Sequence, residues 1–394
     1  MRVAIVINSL VQGGAQRACV WLSQALDERG HEVTMLTFYP EESDFFSTDD
    51  ALVIKRFTRG RERTWKVFEG SEVSVFIRRL IRLPFRILTR VTTRTNDWLA
   101  LRREVSCGNF DVVLVFESYT SIYAILFLVG VRTPIIAAER VHPAMHRLPR
   151  LLSLLRTIVY RFHKVSVCAQ DASIESYIRS KYGAKRTFIV PNSVPIPKSM
   201  VEQSHDQSPG NPLNVVCMAR YHHQKGIDVL LRAWKEVEAD AGNDVVLNVY
   251  GDGDRSVYLE LLQALNLKRA VLHPAIQDTA AVYREADIFV LPTRYEGFPN
   301  ALTEAMAHGI PCITTNSPGA NWSITEGGTS AMLLEVDDVQ AVAKSLIDLI
   351  RAPTQREYLG KLGRQSIDRY SEERIAGIWE RTLESASAAF SEKQ

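Results

Sequence analysis

Residues 286–315 read ADIFVLPTRYEGFPNALTEAMAHGIPCITT, and the order of elements in this stretch decides the fold. Ile288–Leu291 is a short apolar run, which predicts a buried strand. A loop over Arg294–Pro299 follows. A helix is predicted from Asn300, with Gly309 ending it, and Pro311–Thr315 is the next strand. Strand, loop, helix and strand in so short a span is the unit of a parallel sheet covered by helices. The loop carries Glu296 at the strand's carboxyl end. Glu304 stands eight residues on, about one turn into the helix. Between them the first N–H groups of the helix, around Asn300, Ala301 and Leu302, have no partner inside it. One mouth therefore offers two carboxylates for vicinal hydroxyls and a nest of N–H groups for an anion.

The same alternation extends in both directions. Downstream and upstream of the stretch, strands are predicted at Leu213–Met218, Val245–Tyr250, Ala270–Leu272 and Ala331–Leu334. The helices between them are Ile227–Ala239, Ser256–Leu265, Ala280–Ala286 and Val339–Arg351. In the first half, strands are predicted at Val3–Ile7, Glu32–Phe38, Val112–Phe116, Pro134–Ala138, Lys164–Val167 and Thr187–Val190. A helix runs from about Ala15 to Arg29 and is stopped by Gly30. The polar, Pro- and Gly-containing stretch Ser199–Pro212 reads as a linker. The expectation is an α/β chain of two Rossmann-like halves, residues 1–198 and 213–371, joined by 199–212. A last helix, 372–394, would brace the two. Ligands of such folds bind outside the carboxyl ends of the strands, here in the cleft between the halves.

Length and composition agree. At 394 residues the chain is too long for one ordinary domain. Hydrophobic residues at 46% and charged residues at 23% exclude a disordered chain. Cys19, Cys107, Cys168, Cys217 and Cys312 form no C-x-x-C pair, which excludes zinc ribbons and suits a reducing compartment. No apolar run approaches the ~18 residues of a membrane span. The opening MRVAIVINSL reads as a first strand rather than a signal peptide.

Charge is unevenly placed. Residues 1–200 hold 29 Lys and Arg against 18 Asp and Glu, whereas the remainder hold 18 against 27. Lys55–Arg103 alone carries 14 cations and 4 acids. Within it, Ser74–Val91 (SVFIRRLIRLPFRILTRV) spaces five arginines at helical intervals among bulky apolar residues, with Pro84 dividing the helix. That is the pattern of a helix lying in an anionic membrane interface. His146–Lys164 is a weaker echo. A core-packed helix with a solvated arginine face is the plainer alternative, and no recognition motif supports nucleic acid.

Other residues gather at predicted strand ends. Arg220 and Lys225 flank the loop after Leu213–Met218, where two cations can neutralise a diphosphate without a metal. Gly13 and Gly14 follow the first strand, where the backbone can approach a phosphate closely, but GGAQR is not a dinucleotide fingerprint. His142 follows Pro134–Ala138 in AAERVHP, as an active-site residue or a turn-lining one. Asp252 and Asp254 form a D-x-D around Gly253, which favours a tight turn over a metal site. The adjacent His222 and His223 read as a loop near the same site.

EGFPNALTEAMAHGIPCITT, with its Glu-x7-Glu spacing, resembles the retaining, nucleotide-sugar-dependent glycosyltransferases of GT-B fold in the glycosyltransferase group 4 family. INSLVQGGAQR resembles that family's glycine loop, MARYHHQKGIDVLLRAW its "R…KG…L…A" stretch, and NVYGDGD its "GDG" turn. PAIQDTAAVYREADIFVLPT resembles the lead-in to the carboxylates. The likeness is strong in the second half and patchy in the first. It implies Arg220 and Lys225 on the donor phosphates, Glu304 on the donor ribose and Glu296 facing the transferred sugar. Asn300–Leu302 would contact sugar and phosphate through backbone, Gly13 and Gly14 the phosphates, and His142 the donor sugar. It implies no metal and no cofactor beyond a nucleotide-diphospho-sugar co-substrate, a UDP-sugar by resemblance. The implied reaction is retaining transfer to a polyprenyl-diphosphate-linked saccharide in bacterial surface-glycan assembly. The expected place is the cytoplasmic face of the inner membrane, on anionic lipid and without nucleic acid. A soluble GT-B transferase using a GDP- or ADP-sugar and a free sugar is the rival reading. A basic nucleic-acid-binding protein and an NAD-dependent enzyme are more distant ones.

Overall fold

The computed structural model describes residues 1–10, 13–39, 52–57, 95–146, 148–197 and 212–391. The arginine-rich stretch 74–91 and nearly all of the 199–212 linker lie outside the described residues. Two sheets are built. The first has seven strands: β1 (Arg2–Ile7), β2 (Glu32–Thr37), β3 (Val53–Arg56), β4 (Val112–Phe116), β5 (Ile135–Ala138), β6 (Val165–Ala169) and β7 (Thr187–Ile189). Their spatial order is β3-β2-β1-β4-β5-β6-β7 and every pairing is parallel. Each of β4, β5 and β6 is buried at all its positions, because helices cover both faces. The helices are α1 (Gly14–Glu28), α2 (95–107), α3 (Ser118–Phe127), α4 (Arg150–Val159) and α5 (Ala172–Tyr182).

The second sheet is also parallel throughout, in the order β10-β9-β8-β11-β12-β13. Its strands are β8 (Leu213–Met218), β9 (Val245–Tyr250), β10 (Ala270–His273), β11 (Ile288–Leu291), β12 (Cys312–Thr315) and β13 (Met332–Leu334). The helices around it are α6 (Ile227–Ala241), α7 (Ser256–Ala264), α8 (Thr279–Arg284), α9 (Asn300–Ala307), α10 (Asn321–Ile324), α11 (Val339–Arg351) and α12 (Pro353–Ile367). The strand boundaries predicted from sequence hold to within one or two residues. Among the elements that escape that reading are β3, α3 and α12. The basic stretch from Lys55 begins in β3 and ends in α2.

Both sheets reverse their winding once, between β1 and β4 and between β8 and β11. At each reversal the connections leave to opposite sides and open a crevice at the carboxyl ends. Several of the residues singled out in the sequence follow strands at these two points. Gly13 and Gly14 follow β1. Arg220 and Lys225 follow β8, and Glu296 follows β11.

The last helix, α13 (Glu372–Ser391), returns to the first sheet. Trp379 is buried against Phe116 at the end of β4, with ring centroids 6.4 Å apart. Arg29 of α1 binds Glu380 at 2.7 Å, and Arg186 donates to the Ala389 carbonyl at 2.9 Å. Val194 N–H donates to the Tyr370 carbonyl at 2.8 Å, beside a bridge from Val194 to Ser371. The final helix thus packs against the first half. Trp379→Ala should cost about 3–5 kcal/mol through the cavity it leaves, read as a lowered urea midpoint.

Candidate functional site

The site is built where the β8 and β11 ends meet. Beyond β8, Tyr221 is pinned by its hydroxyl, which donates to the carbonyls of Val249 at 2.9 Å and His273 at 2.8 Å. A single 3-10 turn, His223–Lys225, follows, and His222 Nδ1 accepts from Gln224 N–H at 3.2 Å. Gly226 then takes φ 66°, and a β-carbon there would lie 1.9 Å from the Pro292 carbonyl oxygen. Only glycine fits so close an approach in that backbone region. The turn aims Lys225 at the β11 loop, where its Nζ donates to Glu296 Oε1 at 2.6 Å.

Glu296 is buried and held from two sides. Its N–H donates to the Pro318 carbonyl at 2.9 Å. Gly319, at φ 123°, packs so tightly that a β-carbon would sit 2.0 Å from the Glu296 carbonyl oxygen. The next residue, Gly297, abuts the other half, its virtual β-carbon 2.5 Å from the Arg140 carbonyl oxygen. Helix α9 starts three residues later. Its first backbone bond into the helix is Thr303 N–H to the Pro299 carbonyl, so the Ala301 and Leu302 N–H groups stand at its open end. Glu304 is buried and accepts from the Tyr283 hydroxyl at 3.1 Å. Burial, with the Glu304 charge alongside, raises the Tyr283 hydroxyl well above its usual range, so it remains a donor.

The first half closes over this arrangement. Arg17, in the first turn of α1, reaches across to pair with Glu304. Asn192 donates to Asn300 Oδ1 at 2.9 Å, and Gln170 donates to Asn192 Oδ1 at 2.9 Å. Arg140 Nη1 donates to the same Asn192 oxygen at 3.1 Å and to the Val190 carbonyl at 3.2 Å. Its guanidinium lies over the rings of Phe116 and Trp379, 5.1 Å from each centroid, and burial lowers its pKa to about 10. Gly14 touches Asn300: a β-carbon would lie 3.2 Å from Asn300 Nδ2. Gly13 is extended, and its virtual β-carbon meets only the movable Gln16 amide.

Glu296, Glu304, Lys225, Gly14 and the start of α9 are therefore brought together where the halves meet, and Arg220 stands at the carboxyl end of β8. Arg220 is exposed and makes no ion pair among the described residues. Lys225, read from sequence as a free cation, is already matched to Glu296. His142 is buried, with Nδ1 accepting from Ala144 N–H at 3.2 Å and its ring 5.3 Å from that of Tyr177. Burial lowers its pKa, against the pull of Asp171. Of its loop, Arg140 is the residue that meets Gly297. The D-x-D is a turn: Asp252 accepts from Gly253 N–H at 2.8 Å, and Asp254 from Ser256 N–H at 2.9 Å. Sequence reasoning missed Arg17, Tyr283, Gln170 and Asn192. Arg17 lies in the quoted GGAQR and Tyr283 in the quoted lead-in, but only the fold brings them to Glu304.

Two carboxylates, each already matched by a cation, leave Arg220 and the open N–H groups of α9 as the uncompensated positive features. That balance suits an anion with hydroxyls attached, bound between the halves.

The comparisons with known proteins follow this geometry. The family described as Glycosyl transferases group 1 matches residues 212–352, and the Glycosyl transferase 4-like domain matches residues 13–193. An alpha-1,4-N-acetyl-D-galactosaminyltransferase of Campylobacter jejuni, named for a GalNAc-GalNAc-diNAcBac-PP-undecaprenol substrate, is 24% identical over 350 residues, 88% of each chain. Sucrose-phosphate synthase from Thermosynechococcus elongatus superposes with a TM-score of 0.78 at 18% identity, over 98% of this chain and 99% of that one. Anabaena HepE in complex with UDP superposes with a TM-score of 0.74 at 14% identity, over 98% and 100%. The two-sheet architecture is the GT-B fold.

The Lys225–Glu296 pair admits a direct check. Lys225→Ala strands a buried carboxylate and should cost up to about 3 kcal/mol, most of it regained when Glu296→Gln is added. Urea unfolding of the two single variants and the double variant reads this coupling.

Proposed function

We propose that this chain, which belongs to the glycosyl transferases group 1 family, transfers a hexose or N-acetylhexosamine from a nucleotide-diphospho-sugar to a lipid-linked saccharide. The observation that supports the reading is the meeting of Lys225–Glu296, the α9 start and Glu304 near the β8/β11 reversal, with Arg220 following β8. In this reading Arg220, Lys225 and the α9 N–H groups hold the diphosphate, and Glu304 takes the ribose diol. Glu296 holds a hydroxyl of the sugar to be moved. The bond from the sugar's anomeric carbon to the phosphate oxygen breaks, and its electron pair stays on the phosphate. The acceptor oxygen attacks from the same face, and its proton passes to the departing phosphate, so configuration is retained. No metal enters this scheme. A UDP-sugar is the donor we favour, supported by the family resemblance and by the UDP complex of a like-folded protein. The lipid-linked acceptor and a role in bacterial surface-glycan assembly are supported by the undecaprenol-linked substrate named for the Campylobacter relative.

Helix α4 supports membrane docking. It buries Arg156, whose guanidinium lies 4.4 Å from the Tyr182 ring centroid and 3.8 Å from Glu139. It turns Leu151, Leu154 and Ile158 outward, at 68%, 58% and 44% exposure, between the exposed Arg150 and Arg161. An apolar stripe flanked by cations suits an anionic bilayer surface, which we place at the cytoplasmic face of the inner membrane. No helix among the described residues is long and apolar enough to cross a membrane.

Nucleotide release from UDP-, GDP- and ADP-sugars, with and without lipid-linked acceptor and EDTA, tests the reaction. Release from one donor, dependent on acceptor and resistant to EDTA, is expected. Arg220→Ala and Glu296→Ala should each lower it about 100-fold; near-normal rates in either would overturn that residue's assignment. Leu151→Asp with Leu154→Asp should abolish co-sedimentation with phosphatidylglycerol liposomes at physiological salt. Unchanged sedimentation would remove α4 from the membrane contact.

A further inference from the structure

The first sheet has its own reversal, between β1 and β4, and Glu117 is the residue that leaves it. It follows β4 directly and precedes α3, across the reversal from the glycine loop. Its backbone takes φ 71° and ψ 141°, a region that an L side chain enters only under strain. No local turn asks for glutamate at this position; glycine would sit there without strain.

The side chain is nonetheless held in place. Gln16 Nε2 donates to Oε1 at 2.8 Å, Thr120 Oγ1 donates to Oε2 at 3.2 Å, and the Asn8 backbone N–H donates as well. All three donors are neutral, and no cation is paired with Glu117 among the described residues. Burial raises its pKa, against those three hydrogen bonds. A carboxylate offers about four acceptor positions, so about one remains. The residue is half-buried rather than sealed in the core. Its neighbours tie it to the cleft. Gln16 shares the first turn of α1 with Gly14, which touches Asn300, and with Arg17, which pairs with Glu304.

We propose that Glu117 is the acceptor-binding carboxylate, accepting a hydrogen bond from a hydroxyl of the saccharide that receives the transferred sugar. The proposal rests on the glycosyltransfer reading above and deepens it. It also assigns polarity to the acceptor. An unpaired carboxylate repels phosphate, so the acceptor's sugar lies at Glu117 and its diphosphate lies away from it.

The test compares wild type with Glu117→Ala, Glu117→Gln and Glu117→Gly in three measurements. These are UDP binding by calorimetry, thermal melting, and transfer to a short-chain prenyl-diphosphate N-acetylhexosamine at varied acceptor concentration. UDP affinity should stay within about twofold in all variants, because Glu117 does not touch the donor. Acceptor kcat/KM should fall about 100-fold in Glu117→Ala, chiefly through KM, and less in Glu117→Gln. Glu117→Gly should melt about 2 °C above wild type as the strain is released. Acceptor kcat/KM within threefold of wild type in Glu117→Ala would overturn the proposal. So would a Glu117→Gly variant that melts below wild type and binds UDP weakly, since Glu117 would then be a strut. If the wild-type protein turns over no sugar nucleotide, the glycosyltransfer reading fails, and melting alone decides Glu117: higher for glycine upholds a ligand-binding carboxylate, lower overturns it.

Discussion

A carboxylate taken out of water must be matched by charge or by hydrogen bonds, and Glu296 is where that demand organises the molecule. Lys225 meets it at 2.6 Å, but only because three segments are pressed together around the pair. The β8 turn lies against Pro292 at Gly226, the loop before α10 lies against Glu296 at Gly319, and the first half lies against Gly297. Each contact stands where a β-carbon would collide with backbone oxygen. Moving any of these backbones outward to admit a side chain would separate the ion pair and open a buried charge. The glycines of this loop system are therefore part of the electrostatics as well as of the turns.

Glu304 solves the same problem with a cation from the other half of the chain. Arg17 crosses the cleft to reach it, and the Asn192–Asn300 bond runs alongside. Helix α13 closes the circuit by carrying the end of the chain back to β4, where the Arg140 guanidinium lies over both Trp379 and Phe116. The two sheets thus meet through polar contacts at the strand ends and through an aromatic contact behind them. In the proposed reading a ribose on Glu304 would share that carboxylate with Arg17, and donor binding and closure of the halves would draw on one group.

Most of the second half was legible because its strands are continuous apolar runs separated by glycines, and its site lies within contiguous stretches. What escaped has identifiable causes. β3 is an edge strand with alternating partial exposure, set at the start of a basic stretch, so no apolar run marks it. Helix α3, SYTSIYAILF, is apolar nearly all round and shows no helical stripe. Helix α12 is mostly polar and packs through Gly360 and Gly363, residues that argue against a helix in isolation. Arg17, on a half-exposed helix turn, reads locally as surface charge. Its role depends on a contact 287 residues away, which no local pattern reports. His142 was singled out for its chemistry, and two residues before it the Arg140 backbone lies against Gly297.

The charge asymmetry acts at a different range from the site. Residues beyond 200 hold 18 Lys and Arg against 27 Asp and Glu, the wrong sign for drawing in a nucleotide diphosphate. At physiological ionic strength that field fades over about 8 Å. In the proposed reading an arriving diphosphate would meet Arg220, the Lys225–Glu296 pair and the open N–H groups of α9, and local geometry would outweigh net charge there. The first half is the opposite case. Its excess of cations, 29 against 18, lies almost wholly along Lys55–Arg103, which holds 14 against 4. Charge spread along so long a stretch is poor at gripping one small ligand. It is well suited to an extended anionic surface, where each cation contributes about 1 kcal/mol within the screening length. In the proposed reading the chain separates two electrostatic tasks, with concentrated charge at the second sheet's reversal and a long basic stretch within the first half.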